Sequence, residues 1–293
     1  MLTMGTSALA DDGSKIVQFP GWGEKLNTAE PHNYNVGEKQ EVFPFKKAED
    51  IASMRAYFSG RGEWRNELLF VLGINIGLRA SDLLKLRWDQ LVDEDGVITD
   101  GITVREKKTK KFRTFYLNSS ACDAIRYFFL KMVERNIEFV NEMCRGGKMN
   151  RSDAGEIVGL LSKQTLQSAH EATAKYIDLV ESGRFIVPKG NKGRYYTFEY
   201  LFSSGKVGAP LEVRSAEKIL KTAAKEIGIK FNVGTHSLRK TFGYHQLKTH
   251  DDNATFLCEL QEMFGHSSPQ ITLRYCGLGG EKICQYYNDV NLG

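Results

Sequence analysis

The chain has 293 residues, 41% hydrophobic and 11% aromatic, enough for a real core in one large or two modest domains. Its five cysteines are odd in number, widely spread and without a CxxC pair, which argues against a disulfide framework or a zinc site and fits a reducing, cytoplasmic setting. No run approaches the roughly 18 apolar residues of a membrane span, and a net charge of +4 is too small to indicate nucleic acid, so the placement of the cations matters more than their sum.

Residues 1–42 are rich in Gly, Asn, Glu and Lys and carry few periodic apolar positions, so they read as a flexible N-terminal arm. Their start, MLTMGTSALADDG, lacks the basic region and apolar run of a signal peptide. From Lys46 apolar residues recur at helical spacing, with Ile51, Met54, Tyr57 and Phe58 on one face. A longer, more buried helix is expected from Trp64 to Ile76, stopped by Gly77. Ser81 is the expected N-cap of a helix carrying Leu83, Leu84, Leu86 and Trp88. Asp95-Gly96 signals a turn, and Val97-Ile98, Ile102-Thr-Val104 and Phe115-Tyr-Leu117 read as short strands.

A helix is expected near residues 121–136. Residues 137–187 mix helix-compatible stretches with Gly146-Gly147, carry no chemical motif and read as a helical insertion. Tyr200-Leu-Phe202 and an amphipathic helix through Ile219, Leu220, Ala223 and Ile227 follow. The expected class is α+β and mainly α-helical, a domain over residues 43–293 with a small antiparallel sheet.

Four segments place reactive side chains at structural punctuation. GLRASD at 77–82 puts Arg79 at a corner between apolar helices, where a guanidinium fork suits phosphate oxygens and equally suits a structural ion pair with a nearby acid. REKKTKKFR at 105–113 packs six cations and one acid into nine residues, in the turn of the expected sheet; KGNKGR at 189–194 is a second basic turn. HSLR at 236–239 sets His236 and Arg239 three residues apart on one helix face, a common accident when taken alone. In GHSSPQITLRY at 265–275, Ser268 as N-cap and Pro269 at the first helical position start a short helix ending at Tyr275, after which Gly277, Gly279 and Gly280 release the chain. Arginines, histidines, a lysine and a tyrosine without a carboxylate cluster suggest a phosphate site that uses no metal.

Together GLRASDLLKLRW, HSLRKTFGYH and GHSSPQITLRY, in that order and with a basic turn between the first two, resemble the boxes of the tyrosine recombinase (phage-type integrase) family, over residues 43–293 apart from the insertion. The resemblance implies the family's catalytic-domain fold, with the small sheet at the active site. It implies a recombinase that cuts and rejoins DNA without cofactor or metal. Tyr275 would be the nucleophile, His236 the base, Arg79 and Arg239 the phosphate clamps, His266 a further donor and Lys108 the acid for the leaving 5′-oxygen, with Lys189 as the fallback for that last role.

Lys107, Lys110, Lys111, Arg113, Lys189, Lys192, Arg194 and Lys240 are expected to contact DNA. The expected partners are double-stranded DNA, three further copies of the chain in a tetramer on DNA (a monomer when free) and an accessory DNA-bending protein. The tail at 276–293 would dock on a neighbouring subunit or fold back on its own core. The usual N-terminal DNA clamp of the family has no counterpart in residues 1–42. A DNA-relaxing enzyme of the type IB topoisomerase kind and a catalytically idle DNA-binding regulator stay open as alternatives.

Overall fold

The computed structural model describes residues 8–9, 15–16, 41–93, 97–108, 110–189, 194–204, 208–250 and 254–278. It divides into two compact units, residues 1–41 and 42–293. In the first, β1 (Ala8–Leu9) pairs antiparallel with β2 (Lys15–Ile16). The second unit carries the helices and a two-stranded sheet.

Its organising element is α2 (Trp64–Ile76), buried at Leu68, Leu69, Phe70, Val71, Leu72, Gly73 and Ile76. A helix apolar on nearly all sides belongs inside, and α2 packs against α1 (Ala48–Gly60), α4 (Ser119–Arg145) and α8 (Thr235–Thr249). Gly73 permits a close approach of α8, since a Cβ there would come within 2.4 Å of Leu238 on that helix. Gly77 ends the helix in the left-handed region, at φ 70°.

The next helix differs from expectation. It is the single turn α3 (Ala80–Leu83), with Arg79 rather than Ser81 at the N-cap, and a 3-10 turn at Trp88–Gln90 follows. Burial of Leu83, Leu84, Leu86 and Trp88 against the core bends the chain there, which a periodic reading cannot detect.

The sheet is a hairpin of β3 (Gly101–Arg105) and β4 (Phe112–Tyr116), with Gly101 opposite Tyr116 and Arg105 opposite Phe112. Ile102 and Phe115 are buried on its inner face, while Thr103, Thr114, Phe112 and Tyr116 face solvent. The lysine-rich run forms its turn, as expected. Ile98 makes an isolated bridge to Val92 rather than a strand, and Asp95-Gly96 lies outside the described residues.

Helix α4 does not stop at Asn136. Apolar positions continue at Phe139, Val140 and Met143, so it runs to Arg145 and the segment expected as an insertion begins inside it. Helix α5 (Arg151–Leu161) packs back on α4, α6 (Leu166–Glu181) packs on α5 and reaches α4 through Tyr176 on Phe139, and both share one hydrophobic cluster with α2 and Trp88.

The chain enters this unit at Phe45, fully buried, whose N–H donates to Thr241 Oγ1 (2.8 Å) and whose carbonyl lies 2.9 Å from His245 Nε2, both on α8. The amphipathic helix α7 (Val213–Glu226) covers a second cluster with Met54, Phe58 and Phe70. Helices α9 (Ala254–Phe264) and α10 (Pro269–Tyr275) close a third with Phe242 and Cys276. Cys122, Cys144, Cys258 and Cys276 are free thiols. Among the described residues no helix is long and apolar enough to cross a membrane.

Gly77→Ala would place a methyl group 2.5 Å from the Phe242 ring on a backbone that L side chains avoid. It should lower the unfolding free energy by about 2 kcal/mol or more, read from the urea midpoint; an unchanged midpoint would show that the corner relaxes freely.

Candidate active site

The α2–α3 corner, the hairpin turn, the start of α8 and the α9–α10 junction bring Arg79, Lys108, His236, Arg239, His266 and Tyr275 into one region. Arg79 has an extended backbone at the N-cap of α3, and its guanidinium donates through Nη2 to the carbonyl of Phe264 at 3.1 Å and through Nη1 to Glu106. Arg239, only 3% exposed, donates through Nη2 to the same carbonyl at 3.0 Å, and its Cζ stands 4.4 Å over the Phe264 ring. Its Nη1 is buried without a hydrogen-bond partner in the described structure. An orphaned donor on a charged group costs more than a neutral one, for which the loss is about 1–3 kcal/mol, and suits a site built for an anion.

Glu106 was not anticipated as a site residue. It is fully buried, one carboxylate oxygen on Arg79 and the other 3.2 Å from Nε of Arg113. Arg113, placed by sequence among the DNA contacts, points inward from β4 and also donates to the carbonyl of Glu262 on α9. Asp82 was missed as well: its Oδ1 accepts from the Lys107 N–H at 3.0 Å, tying the hairpin turn to α3. The one visible signal was the lone acid in the cation run. Nothing in the sequence marked Phe264, whose carbonyl and ring both serve the site.

The turn is closed by the Lys110 N–H on Glu106 O and the Glu106 N–H on Lys111 O, each 2.9 Å. Lys107, Lys108, Lys110 and Lys111 are exposed around it, and Lys108 is near enough to act on His266. Lys240 is a DNA-facing residue by the sequence reading, yet it is buried with its ammonium 5.5 Å over the Tyr275 ring. Burial in the α8 face takes it off the surface. Arg194 pairs with Glu142 at 2.9 Å and lies over Phe139, both on α4, so this arginine joins the helical layer rather than this cluster. Lys189 is exposed there, and Lys192 lies outside the described residues.

Tyr275 Oη lies 3.3 Å from Nδ1 of His236, within reach to donate to it. Burial pushes the phenol up to about 12, against the pull of Arg239 and Arg79. His236 stands at the rim, and its pKa is lowered by partial burial, then by Arg239 and Lys240. His266 is lowered to about 4 by burial and then by Arg239, Arg79 and Lys108. At neutral pH both imidazoles are therefore uncharged and Tyr275 keeps its proton. Among the described residues no group of three or more His, Cys, Asp or Glu could hold a metal ion.

Comparison with known proteins adds an independent line. A family model described as "Phage integrase family" matches residues 42–279. The probable integrase/recombinase YoeC of Bacillus subtilis (strain 168) is 27% identical over 237 residues, 81% of this chain and 90% of that protein. The tyrosine recombinase XerC of Bifidobacterium longum (strain DJO10A) is 35% identical over 83 residues, 28% of this chain and 22% of that protein. Among solved structures, the XerH site-specific recombinase in its post-cleavage complex with palindromic difH substrate superposes with a TM-score of 0.50 at 15% identity, a likeness of fold. The alignment covers 86% of this chain and 54% of that one, so the chain spans about half the length of that recombinase.

An unfolded chain takes up a proton at His266 near pH 6.5 while the folded chain refuses it until about 4. Stability is therefore fully present above that window and is lost as pH falls through it. Urea denaturation from neutral pH down to about 4 should show a steeper decline for the native chain than for His266→Asn; equal slopes would mean an ordinary imidazole.

Proposed function

Because the chain belongs to the phage integrase family, we propose that it is a site-specific DNA recombinase, joining DNA to Tyr275 through a 3′-phosphotyrosyl bond in the integration or excision of a mobile element. The observation that carries this reading is Tyr275 Oη at 3.3 Å from His236 beside Arg239, whose buried Nη1 has no hydrogen-bond partner among the described residues. A phosphodiester oxygen supplies the acceptor that this guanidinium lacks.

In the proposed step, Tyr275 Oη attacks the scissile phosphorus and passes its proton to neutral His236. Arg79, Arg239 and His266 stabilise the charge growing on the non-bridging oxygens, and Lys108 protonates the leaving 5′-oxygen. One P–O bond forms for each that breaks, so the reverse step religates the strand with no outside energy source. A phenol with a pKa near 12 is inert at rest; a bound phosphate both occupies the arginines and brings phosphorus to the phenol, with His236 at 3.3 Å to take the proton. The exposed cations of the hairpin turn supply a salt-dependent grip on the backbone. Arg113 and Lys240, being inward, act within the pocket. The reading extends to a tetramer on double-stranded DNA, formed in the cytoplasm from chains that are monomeric when free, with an accessory bending protein as further partner.

Nicked suicide duplexes carrying the ends of the encoding element test it. The native chain should form an adduct stable on a denaturing gel, and Tyr275→Phe none. Lys108→Ala should cleave about 10²–10⁴-fold more slowly and recover on a 5′-phosphorothiolate substrate. Rescue of Lys189→Ala instead would move the acid to the second turn. Adducts irrespective of sequence would favour a DNA-relaxing enzyme, and none with any DNA would leave a binding regulator.

A further inference from the structure

The hydroxyl of Thr272 on α10 is fully buried and lies 3.0 Å from Nδ1 of His266. Among the described residues that ring nitrogen is its one hydrogen-bond partner. We propose that Thr272 is a positioning residue that locks His266 in the tautomer carrying its proton on Nε2, leaving that N–H as a donor to a bound phosphate; the assignment of the phosphate rests on the recombinase reading, that of the tautomer does not.

A neutral imidazole has one nitrogen that donates and one that accepts. If Nδ1 carried the proton it would donate to Thr272 Oγ1, and the hydroxyl proton would then be buried with no acceptor, a costly arrangement. If the hydroxyl donates to Nδ1, every group is satisfied and the ring proton must sit on Nε2. The imidazole stays neutral because burial, Arg239, Arg79 and Lys108 hold its pKa near 4, so both nitrogens cannot be protonated together.

The backbone leaves little else to set. The His266 N–H donates to Gln261 O at 3.0 Å, and its carbonyl accepts from Gln261 Nε2 at 3.1 Å, which fixes the residue at the end of α9. Thr272 is fixed in turn by the helix that ends at Tyr275, its carbonyl accepting from the Cys276 N–H at 3.0 Å. One helical turn therefore carries the tyrosine and the group that sets the protonation of its neighbour, whose ring centroid is 5.0 Å from that of Tyr275.

Nitrogen-15 NMR of histidine-labelled protein reads the tautomer without DNA. The native chain and Thr272→Ser should show His266 protonated on Nε2, while Thr272→Val, of the same shape but without a hydroxyl, should relax to a mixture of the two tautomers and stay folded. On suicide duplexes Thr272→Val should cleave on the order of 10²-fold more slowly, with Thr272→Ser close to native. A native ring protonated on Nδ1, or a Thr272→Val chain with unchanged tautomer, overturns the proposal. Failure of the native chain to cleave any DNA would overturn the recombinase reading alone, since the NMR result stands apart from it.

Discussion

Two guanidiniums of like charge meet on one carbonyl oxygen, that of Phe264, and the site is assembled around that meeting. The carbonyl is the last of α9, where helical carbonyls lack intrahelical partners and the helix dipole is negative. It is therefore a ready acceptor for cations, and it draws Arg79 from the α2–α3 corner and Arg239 from α8 to 3.1 and 3.0 Å. The same residue's ring lies under Arg239 and 5.5 Å from the ring of Tyr275. Without this carbonyl the two arginines would have no common anchor.

The second constraint is charge balance. Arg79, Arg113 and Arg239 would repel strongly in a partly dry pocket, and Glu106 offsets this by holding Arg79 and Arg113 at once from the hairpin. The surplus of positive charge that remains accounts for the other protonation states. It combines with burial to keep both imidazoles neutral, and it opposes the burial that raises Tyr275. The resting site thus has a protonated nucleophile, a neutral base beside it and an unsatisfied guanidinium, a combination that is quiet in water and completed by a phosphate.

Much of this was legible along the chain because it depends on local rules. Periodicity placed α1, α2 and α7; Gly77, Ser268 and Pro269 marked helix ends through backbone preferences that hold in any context. His236 and Arg239 could be put on one face because helical geometry requires it. Local rules failed where tertiary burial competes with them. Ser81 has a good cap side chain, but packing of the following leucines starts the turn at Arg79, and α4 continues past Asn136 because α5 and α6 cover its far end.

The sequence by itself determined the reactive side chains and their order, since motif spacing and the chemistry of each residue type are properties of the chain. Only the tertiary structure decided which groups compensate them. Glu106, Phe264, Asp82 and Thr272 act across 27, 185, 25 and 6 positions of chain respectively, and the longer of these links depend on how helices cross. The same packing turned Lys240 and Arg113 inward and set Arg194 against α4. A cation's sign can be read from sequence, but whether it meets solvent, an acid or a ring is decided when the elements pack.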